Sequence, residues 1–297
     1  MPELPDVVVY VEALRQRIVG QPLQRVHLVS PFLLRSVDPP MREVEGRRVL
    51  DVRRLGKRIV LSLEGDLYLV FHLMIAGRFR WEKRGAKPAK KIGLAAFDFP
   101  TGTLIMTEAS PKKRASLHLV HGDVALAAHD PRGLEVLHAS EVDFRHVLLR
   151  ENHTLKRALT DPRLFSGIGN AYSDEILHAA RLSPVKLTSK MSEEEISRLY
   201  DATRSTLLRW TGILRREFGD RFPGAGEITA FREGFAVHGR YRQPCPDCGT
   251  QVQRIRYAEN ETNYCPRCQT GGRLLADRSL SRLLRDDWPR SIDELES

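Results

Sequence analysis

The arrangement of the cysteines constrains the fold of this chain more than any other feature of the sequence. All four lie near one end, as the pairs Cys245-Pro-Asp-Cys248 and Cys265-Pro-Arg-Cys268, with 16 residues between the pairs. Each pair can hold one side of a tetrahedral ion from a tight turn, and the segment between them can form a hairpin that brings the pairs together. The spacing therefore predicts one metal site with Cys245, Cys248, Cys265 and Cys268 as its ligands.

Four thiolates favour zinc, although rubredoxin-type iron uses the same ligand set. Four protein ligands leave no open coordination position, so the ion is expected to be structural rather than catalytic. The module around it, residues 236–272, is too small to bury a sufficient core, so the metal must supply its folding free energy. A disulfide framework is not expected, because the first 244 residues contain no cysteine.

Composition and charge indicate a folded protein that is attracted to polyanions. The chain has 297 residues, of which 41% are hydrophobic, and this excludes general disorder. The 47 lysine and arginine residues outnumber the 38 acidic residues, so nucleic acid is the first partner to test. No apolar run approaches the roughly 18 residues of a membrane span, and the acidic N-terminal segment differs from a secretory signal. These features predict a cytoplasmic protein.

Hydrophobic periodicity predicts an N-terminal helix followed by antiparallel strands. Residues 5–19 place apolar side chains on one helical stripe, with Pro5 in the first turn. Two hairpins follow, at 59–74 and at 94–107, each with its own turn residues. Successive hairpins predict an antiparallel sandwich or barrel with one helix attached.

The second half of the chain has the pattern of helices. Residues 171–180 and the long stripe from Ile196 to Leu214 have helical spacing, and Ser192 with Glu195 matches a capping box. The segment from Gly122 to about Glu141, which precedes these helices, has the composition of a linker.

We predict five segments: an N-terminal helix and β-sandwich (1–125), a linker (126–140), a helical domain (141–235), the cysteine module (236–272) and a charged tail (273–297). The tail either forms a short docking helix or is loose.

Three motifs point to one known family. They are MPELP at Met1–Pro5, SGIGNAYSDE at Ser166–Glu175 and YCPRCQ at Tyr264–Gln269. In this order they resemble the formamidopyrimidine-DNA glycosylase / endonuclease VIII family of base-excision repair enzymes, over roughly residues 2–270. The resemblance implies an α+β multidomain fold, with an N-terminal helix plus antiparallel β-sandwich, a helix–two-turn–helix domain and a C-terminal zinc finger. It also implies that DNA lies in the cleft between the domains.

By this resemblance, three residues carry the chemistry. Removal of Met1, which is assumed, would expose the secondary amine of Pro2, the expected nucleophile that attacks C1′ and forms a Schiff base. A terminal amine titrates near ~7.7–8, so a useful neutral fraction exists at physiological pH. Glu3 is the expected general acid/base at the opening sugar, and Lys57 is expected to contact the lesion nucleotide or its phosphate. Asp6 stands where the family usually has a second glutamate, and its role is left open.

The resemblance and the charge pattern also imply contacts to the DNA backbone. By resemblance, His72 and Lys156 face phosphates. Asn170 begins a helix, and the free backbone N–H groups of the first turn can bind one phosphate together with the side-chain amide of Asn170. Arg254 and Arg256 make the hairpin between the cysteine pairs a candidate DNA contact. Such contacts position DNA without reading its sequence.

The sequence departs from the oxidised-purine branch of the family at residues that stabilise a flipped-out base. The branch methionine that fills the space left by the base aligns with Ile75, and Met74 lies one place earlier. The branch motif with an intercalating arginine and a phenylalanine wedge reads SPKKRA here, which puts Lys112 and Arg114 at those positions. The phosphate-binding arginine of the family finger aligns with Asn260.

We therefore expect a bifunctional DNA glycosylase and AP lyase that contains one structural zinc ion. Oxidised bases are the damaged bases that we expect it to excise. It is expected to act as a monomer on damaged double-stranded DNA, and whether it also acts on single-stranded DNA is left open. Its expected location is the bacterial cytoplasm, at the nucleoid when it is bound to DNA. The alternative is a zinc-containing protein that binds damaged DNA without chemistry. Retention of Met1 would favour this alternative.

Overall fold

A computed structural model describes residues 1–257, 260–276 and 290–296. The chain divides into two compact units. The first unit contains Met1–Pro131 and Trp210–Ala230, and the second contains Arg132–Arg209 and Phe231–Ser297.

Between Met1 and Pro131, the first unit holds two α-helices, a 3-10 helix at Met41–Val44 and eight strands. The α-helices and strands are α1 (Leu4–Ile18), β1 (Arg25–Leu28), β2 (Val49–Leu55), β3 (Arg58–Leu63), β4 (Leu67–His72), β5 (Gly77–Glu82), β6 (Gly93–Phe99), β7 (Gly102–Glu108), β8 (Ser116–His121) and α2 (Gly122–Ala127).

The strands form two antiparallel four-stranded sheets, with strand orders β1-β6-β7-β5 and β2-β3-β4-β8. The sheets share one core, in which the Phe71 ring meets the rings of Phe79 and Phe97, each at a centroid distance of 5.2 Å. Alternate residues of β3, β4 and β8 face this core, whereas β7 is buried along its whole length. The predicted antiparallel sandwich is confirmed, and so are both predicted hairpins.

The predicted N-terminal helix is also confirmed, as α1. Its apolar stripe is buried, with Val7, Tyr10, Leu14 and Ile18 at 0% exposure. The Tyr10 ring packs edge-on against Phe79 at 5.7 Å, so the helix is anchored to the sandwich core. The N-terminal end of α1 is thereby held in a fixed place.

The linker predicted from Gly122 onward begins with structure instead. Residues 122–127 form α2, whose Leu126 packs on Val60 and Val70 on the outer face of the second sheet. This burial of apolar surface stabilises a helix that is too short to be stable by propensity alone.

The second unit contains helices and a small hairpin. They are α3 (Glu141–Leu149), α4 (Leu155–Thr160), α5 (Asn170–Ala179), α6 (Glu193–Phe218), β9 (Gln253–Tyr257), β10 (Asn260–Tyr264), α7 (Pro266–Thr270) and α8 (Ile292–Glu296). Residues of α6 from Trp210 onward belong to the first unit. The predicted capping box of α6 is present, since Ser192 N–H donates to the Glu195 carboxylate at 2.9 Å and Glu195 N–H donates to the Ser192 hydroxyl at 3.3 Å.

Part of the charged tail docks on the cysteine module. Leu274 N–H donates to the Arg290 carbonyl and Ile292 N–H donates to the Gly272 carbonyl, each at 2.9 Å. Leu275 packs with Tyr264 and accordingly lies in a small core of this module. The tail also contains the short helix α8, while residues 277–289, on which much of the tail prediction rests, lie outside the described residues.

Across the parts of the chain with described coordinates, no helix is long and apolar enough to span a membrane.

Candidate functional site

The N-terminal end of α1 presents two buried carboxylates. Glu3 is the N-cap residue of the helix and is 3% exposed, and Asp6 lies one turn later and is 2% exposed. Glu3 N–H donates to the Asp6 carboxylate at 2.9 Å, and the Glu3 carboxylate accepts from the Asp6 N–H. This reciprocal capping box fixes Glu3 beside the buried Pro2. Asp6 thus has a structural role, and its short side chain is sufficient for it.

The N-terminal amine lies among charged groups of the first unit. Burial lowers the pKa of the Met1 amine, the carboxylates of Glu3 and Asp6 oppose this, and Arg78 and Lys57 add to it. A lowered pKa increases the neutral fraction, which is the nucleophilic form of an amine.

Lys57 lies in the two-residue turn between β2 and β3. Gly56 precedes it with φ +61°, as the first position of a type II′ turn requires. Burial lowers the pKa of Lys57 and the Glu3 carboxylate opposes this, so the two side chains interact. The structure therefore brings together Pro2, Glu3 and Lys57, the three residues predicted to be catalytic.

Sequence reasoning missed Arg78, which holds the turn between β4 and β5. Its guanidinium donates to the carbonyls of Ile228 at 2.6 Å, Ile75 at 3.1 Å and Gly77 at 2.7 Å. Gly77 fits this turn because a Cβ there would lie 2.2 Å from the Leu73 carbonyl oxygen. The turn presents Ile75, which is 52% exposed. A single arginine in a strand carries no motif that could have identified it.

His72 ends β4 and is neutral at physiological pH. Burial lowers the pKa of its imidazole to about 4, with Arg58, Lys57 and His118 acting in the same direction. A phosphate contact by His72 would therefore be a hydrogen bond from a neutral ring, and this contact stays a prediction.

The segment that carries Lys112 and Arg114 is tied down at its base by Glu108. This carboxylate is 1% exposed and accepts from Arg114 N–H at 3.1 Å and Ala115 N–H at 3.2 Å. Lys112 and Arg114 themselves are exposed. Sequence reasoning missed Glu108, because its partners are backbone groups that leave no residue signature.

In the second unit, Asn170 and Lys156 are bound to internal partners. The Asn170 amide donates to the Glu261 carbonyl at 2.9 Å. The Lys156 ammonium donates to the Asn170 carbonyl at 2.6 Å and to the Asp174 carboxylate at 2.5 Å. These contacts fix the first turn of α5, and the phosphate contacts of both residues stay predictions.

Two successive carboxylates of α5 hold the cysteine module. Asp174 accepts from the His238 ring at 2.7 Å and from Asn263 N–H at 3.1 Å. Glu175 accepts from three consecutive backbone N–H groups, those of residues 236–238, at 2.7 to 2.9 Å. Although both acids belong to a motif noted above, their partners are more than 60 residues away and could not be read from the sequence.

Arg254 and Arg256 lie two residues apart on β9 and so face the same side of the hairpin. Arg254 lies over the Tyr241 ring at 4.1 Å and near the Glu261 carboxylate at 3.5 Å. Arg256 is exposed. Asn260 begins β10 opposite Tyr257.

The four cysteine sulfurs lie within 4.8 Å of one another. Cys245 and Cys268 are 3.9 Å apart, and Cys248 and Cys265 are 3.4 Å apart. A tetrahedral zinc ion with bonds of about 2.3 Å requires sulfur–sulfur distances of roughly 3.8 Å, so the donor set fits. The His178 ring nitrogen lies 3.2 Å from the Cys245 sulfur, the arrangement of a group that supports a metal ligand.

Comparison with known proteins agrees with this geometry. The sequence model of the formamidopyrimidine-DNA glycosylase N-terminal domain matches residues 1–168, that of the H2TH domain of the same enzymes matches 133–213, and that of a zinc finger found in FPG and IleRS matches 242–271.

Whole relatives and a solved structure align over nearly the full chain. The formamidopyrimidine-DNA glycosylases of Heliobacterium modesticaldum and of Thermus thermophilus are 33% and 36% identical, over 91% and 92% of this chain and 100% of theirs. The crystal structure of Lactococcus lactis Fpg with DNA containing an abasic site is similar with a TM-score of 0.78 and 26% identity, over 90% of this chain and 99% of that one.

Three features together define a class of zinc-finger proteins. They are a β-sandwich with a buried carboxylate near the N-terminus, H2TH helices and a finger with four thiolates. Within that class, this chain belongs to the formamidopyrimidine-DNA glycosylase family. Its finger binds one structural Zn²⁺.

Proposed function

We propose that this protein is a DNA glycosylase of base-excision repair that excises damaged bases from DNA and then nicks the strand as an AP lyase. The glycosylase activity follows from the family and from the relatives named as formamidopyrimidine-DNA glycosylases. The observation that carries the chemistry is the buried Glu3 carboxylate next to the buried Pro2, whose amine becomes the N-terminus once Met1 is removed. The protein acts on damaged DNA in the cytoplasm.

The reaction begins at the amine of Pro2, after Met1 has been removed. Its nitrogen lone pair forms a bond to C1′ of the flipped-out nucleotide, and the C1′–base bond breaks. The base leaves with the electron pair and takes up a proton, and the nitrogen gives up the proton that it carried. Glu3 then protonates the sugar ring oxygen as the ring opens to the Schiff base. Loss of a C2′ proton expels the 3′-phosphate and nicks the strand.

The remaining residues hold the substrate in place. Lys57 lies beside Glu3 and can bind the phosphate or the nucleotide being attacked. The turn held by Arg78 and the segment held by Glu108 present Ile75, Lys112 and Arg114 toward solvent, where side chains could fill the space left by the base. The zinc ion, held by the four cysteines, supplies folding free energy to the finger.

Borohydride trapping tests the proposed reaction. The processed protein should form a covalent adduct with duplex DNA containing an abasic site or an oxidised base, because borohydride reduces the Schiff base to a stable amine. Pro2→Gly should lose most of the adduct, and Glu3→Gln should slow base release. Glu12→Gln is the matched control, since Glu12 lies on the same helix but pairs with Arg215.

No adduct from protein whose mass shows Met1 removed would contradict the lyase proposal. Retained Met1 together with tight binding to damaged DNA would instead support the non-catalytic alternative.

A further inference from the structure

One face of the second sheet carries basic side chains that the proposed reaction does not use. Arg58 on β3 lies opposite His72 on β4, and His118 on β8 lies diagonally across from His72. Alternation along each strand places all three on the outer face, away from the shared core. Each of these side chains is half-buried.

His129, which follows helix α2, adds a fourth basic group to this face. The chain leaves α2 after Ala127, and His129 brings its ring to 4.5 Å from the ring of His118, with the planes tilted by 55°. Leu126 fixes the position of the helix by packing on Val60 and Val70. We call Arg58, His118 and His129 the basic cluster.

The charged groups in and around the basic cluster are mostly positive. Across the described residues, the Arg58 guanidinium has no side-chain hydrogen bond or ion pair, although it is half-buried. The Asp130 carboxylate raises the pKa of Arg58. By contrast, Arg35 lowers the pKa of His118, and Lys57 lowers the pKa of the neighbouring His72. A half-buried cation without a bound anion is costly, so the cluster favours an anionic ligand.

A metal ion does not fit this cluster. Arg58 would repel a cation, and among the described residues neither His118 nor His129 belongs to a group of three side chains arranged to bind one. A phosphate group accepts hydrogen bonds from guanidinium and imidazole donors at once. Backbone phosphates of DNA supply such groups at regular spacing.

We propose that Arg58, His118 and His129 bind a backbone phosphate of DNA, as a contact additional to the site at the N-terminal end of α1. This inference rests on the proposed function, because it takes DNA as the ligand. The contact adds affinity for any duplex and carries no information about the lesion.

The two histidines make this contact dependent on pH. Burial lowers the pKa of His118, with His129, Arg58 and Arg35 acting in the same direction, and burial and Arg58 lower the pKa of His129. Both rings are therefore neutral in the free protein at pH 7. A bound phosphate favours the charged rings and raises their pKa values, so protons are taken up on binding. The affinity for DNA should then increase as the pH falls through those pKa values.

Fluorescence anisotropy with an undamaged duplex tests the cluster. Arg58→Gln should weaken binding by about tenfold at low salt and reduce the slope of log K against log salt by about 0.9, the value for one lost phosphate contact. The double variant His118→Gln/His129→Gln should bind more weakly and show a smaller gain in affinity between about pH 7.5 and pH 5.5. Arg25→Gln and His27→Gln on β1 of the other sheet are the matched controls.

The outcomes separate the inference from the proposed function. If Arg58→Gln is folded, as its melting temperature shows, and binds like Arg25→Gln, the basic cluster is not a phosphate contact, even where borohydride trapping succeeds. If trapping fails but the salt slope falls in Arg58→Gln, the contact stands and the lyase proposal fails. Restored binding in Arg58→Lys supports a charge contact, and inorganic phosphate that competes as well as DNA would show a site for free phosphate instead.

Discussion

We expect the side chains at positions 112 and 114 to set how the protein reads the strand opposite a lesion. The flexible ammonium of Lys112 is a point charge, whereas an arginine would offer a planar fork of donors to the orphaned base. Arg114 replaces an apolar wedge with a cation, which is costly to bury between bases unless it stacks or meets a phosphate. The Glu108 carboxylate accepts from the backbone N–H groups of Arg114 and Ala115, which fixes the base of this segment without changing the chemistry of either side chain.

We therefore expect weak discrimination of the opposite base and poor excision of 8-oxoguanine opposite cytosine, compared with oxidised pyrimidines, hydantoins or abasic sites. Single-turnover rates on a panel of single-lesion duplexes with each opposite base measure this. Lys112→Arg should increase the dependence on the opposite base, whereas Lys83→Arg, in an exposed loop elsewhere, should not. Strong excision of 8-oxoguanine that depends on cytosine would show that other residues supply the wedge.

Among single residues, those in local motifs could be predicted and those with distant partners could not. Lys57 could be predicted only because the segment Arg53–Lys57 resembles a loop of the family, since a single lysine in a loop is normally just solvated. The Glu3–Asp6 pair spans only three residues, yet the sequence left the role of Asp6 open, because an aspartate in place of the family's glutamate keeps the charge but has a shorter side chain. Arg78 and Glu108 act on carbonyl and N–H groups, which every residue has, so no pattern of residue types marks them.

At the scale of elements, hydrophobic periodicity was enough to predict α1, both hairpins and α6. Each of these buries one stripe or one face, and that burial appears directly as a period in the sequence. Helix α2 was missed because it has only one fully buried side chain, Leu126, and so shows no period.

The finger is the element whose stability depends on metal. Removing zinc with a chelator should expose the amides of residues 236–272 to hydrogen exchange while the β-sandwich of the first unit stays protected. Binding to DNA should be lost at the same time, because the hairpin with Arg254 and Arg256 belongs to the finger. Mass spectrometry of exchanged peptides measures the first effect, and anisotropy measures the second. Metal-free protein that binds DNA normally would contradict this prediction.

At the scale of the whole molecule, the net charge of +9 predicts binding that depends steeply on salt. Each phosphate neutralised by a lysine or arginine releases condensed counterions, so log K should fall linearly with log salt. Titration of an undamaged duplex between roughly 50 and 200 mM salt should give a loss of affinity of several orders of magnitude if six or more phosphates are contacted. A flat response would contradict DNA binding through the backbone.

The carboxylates of Asp174 and Glu175 limit how this finger can be used in protein engineering. Its cysteines look like a portable cassette, but His238, Asn263 and the N–H groups of residues 236–238 are satisfied by a helix outside it. A transplanted finger would keep its zinc ligands but lose the carboxylates of Asp174 and Glu175. Several buried donors of the finger would then need new hydrogen-bond acceptors in the host protein. A functional graft of this finger must therefore include α5.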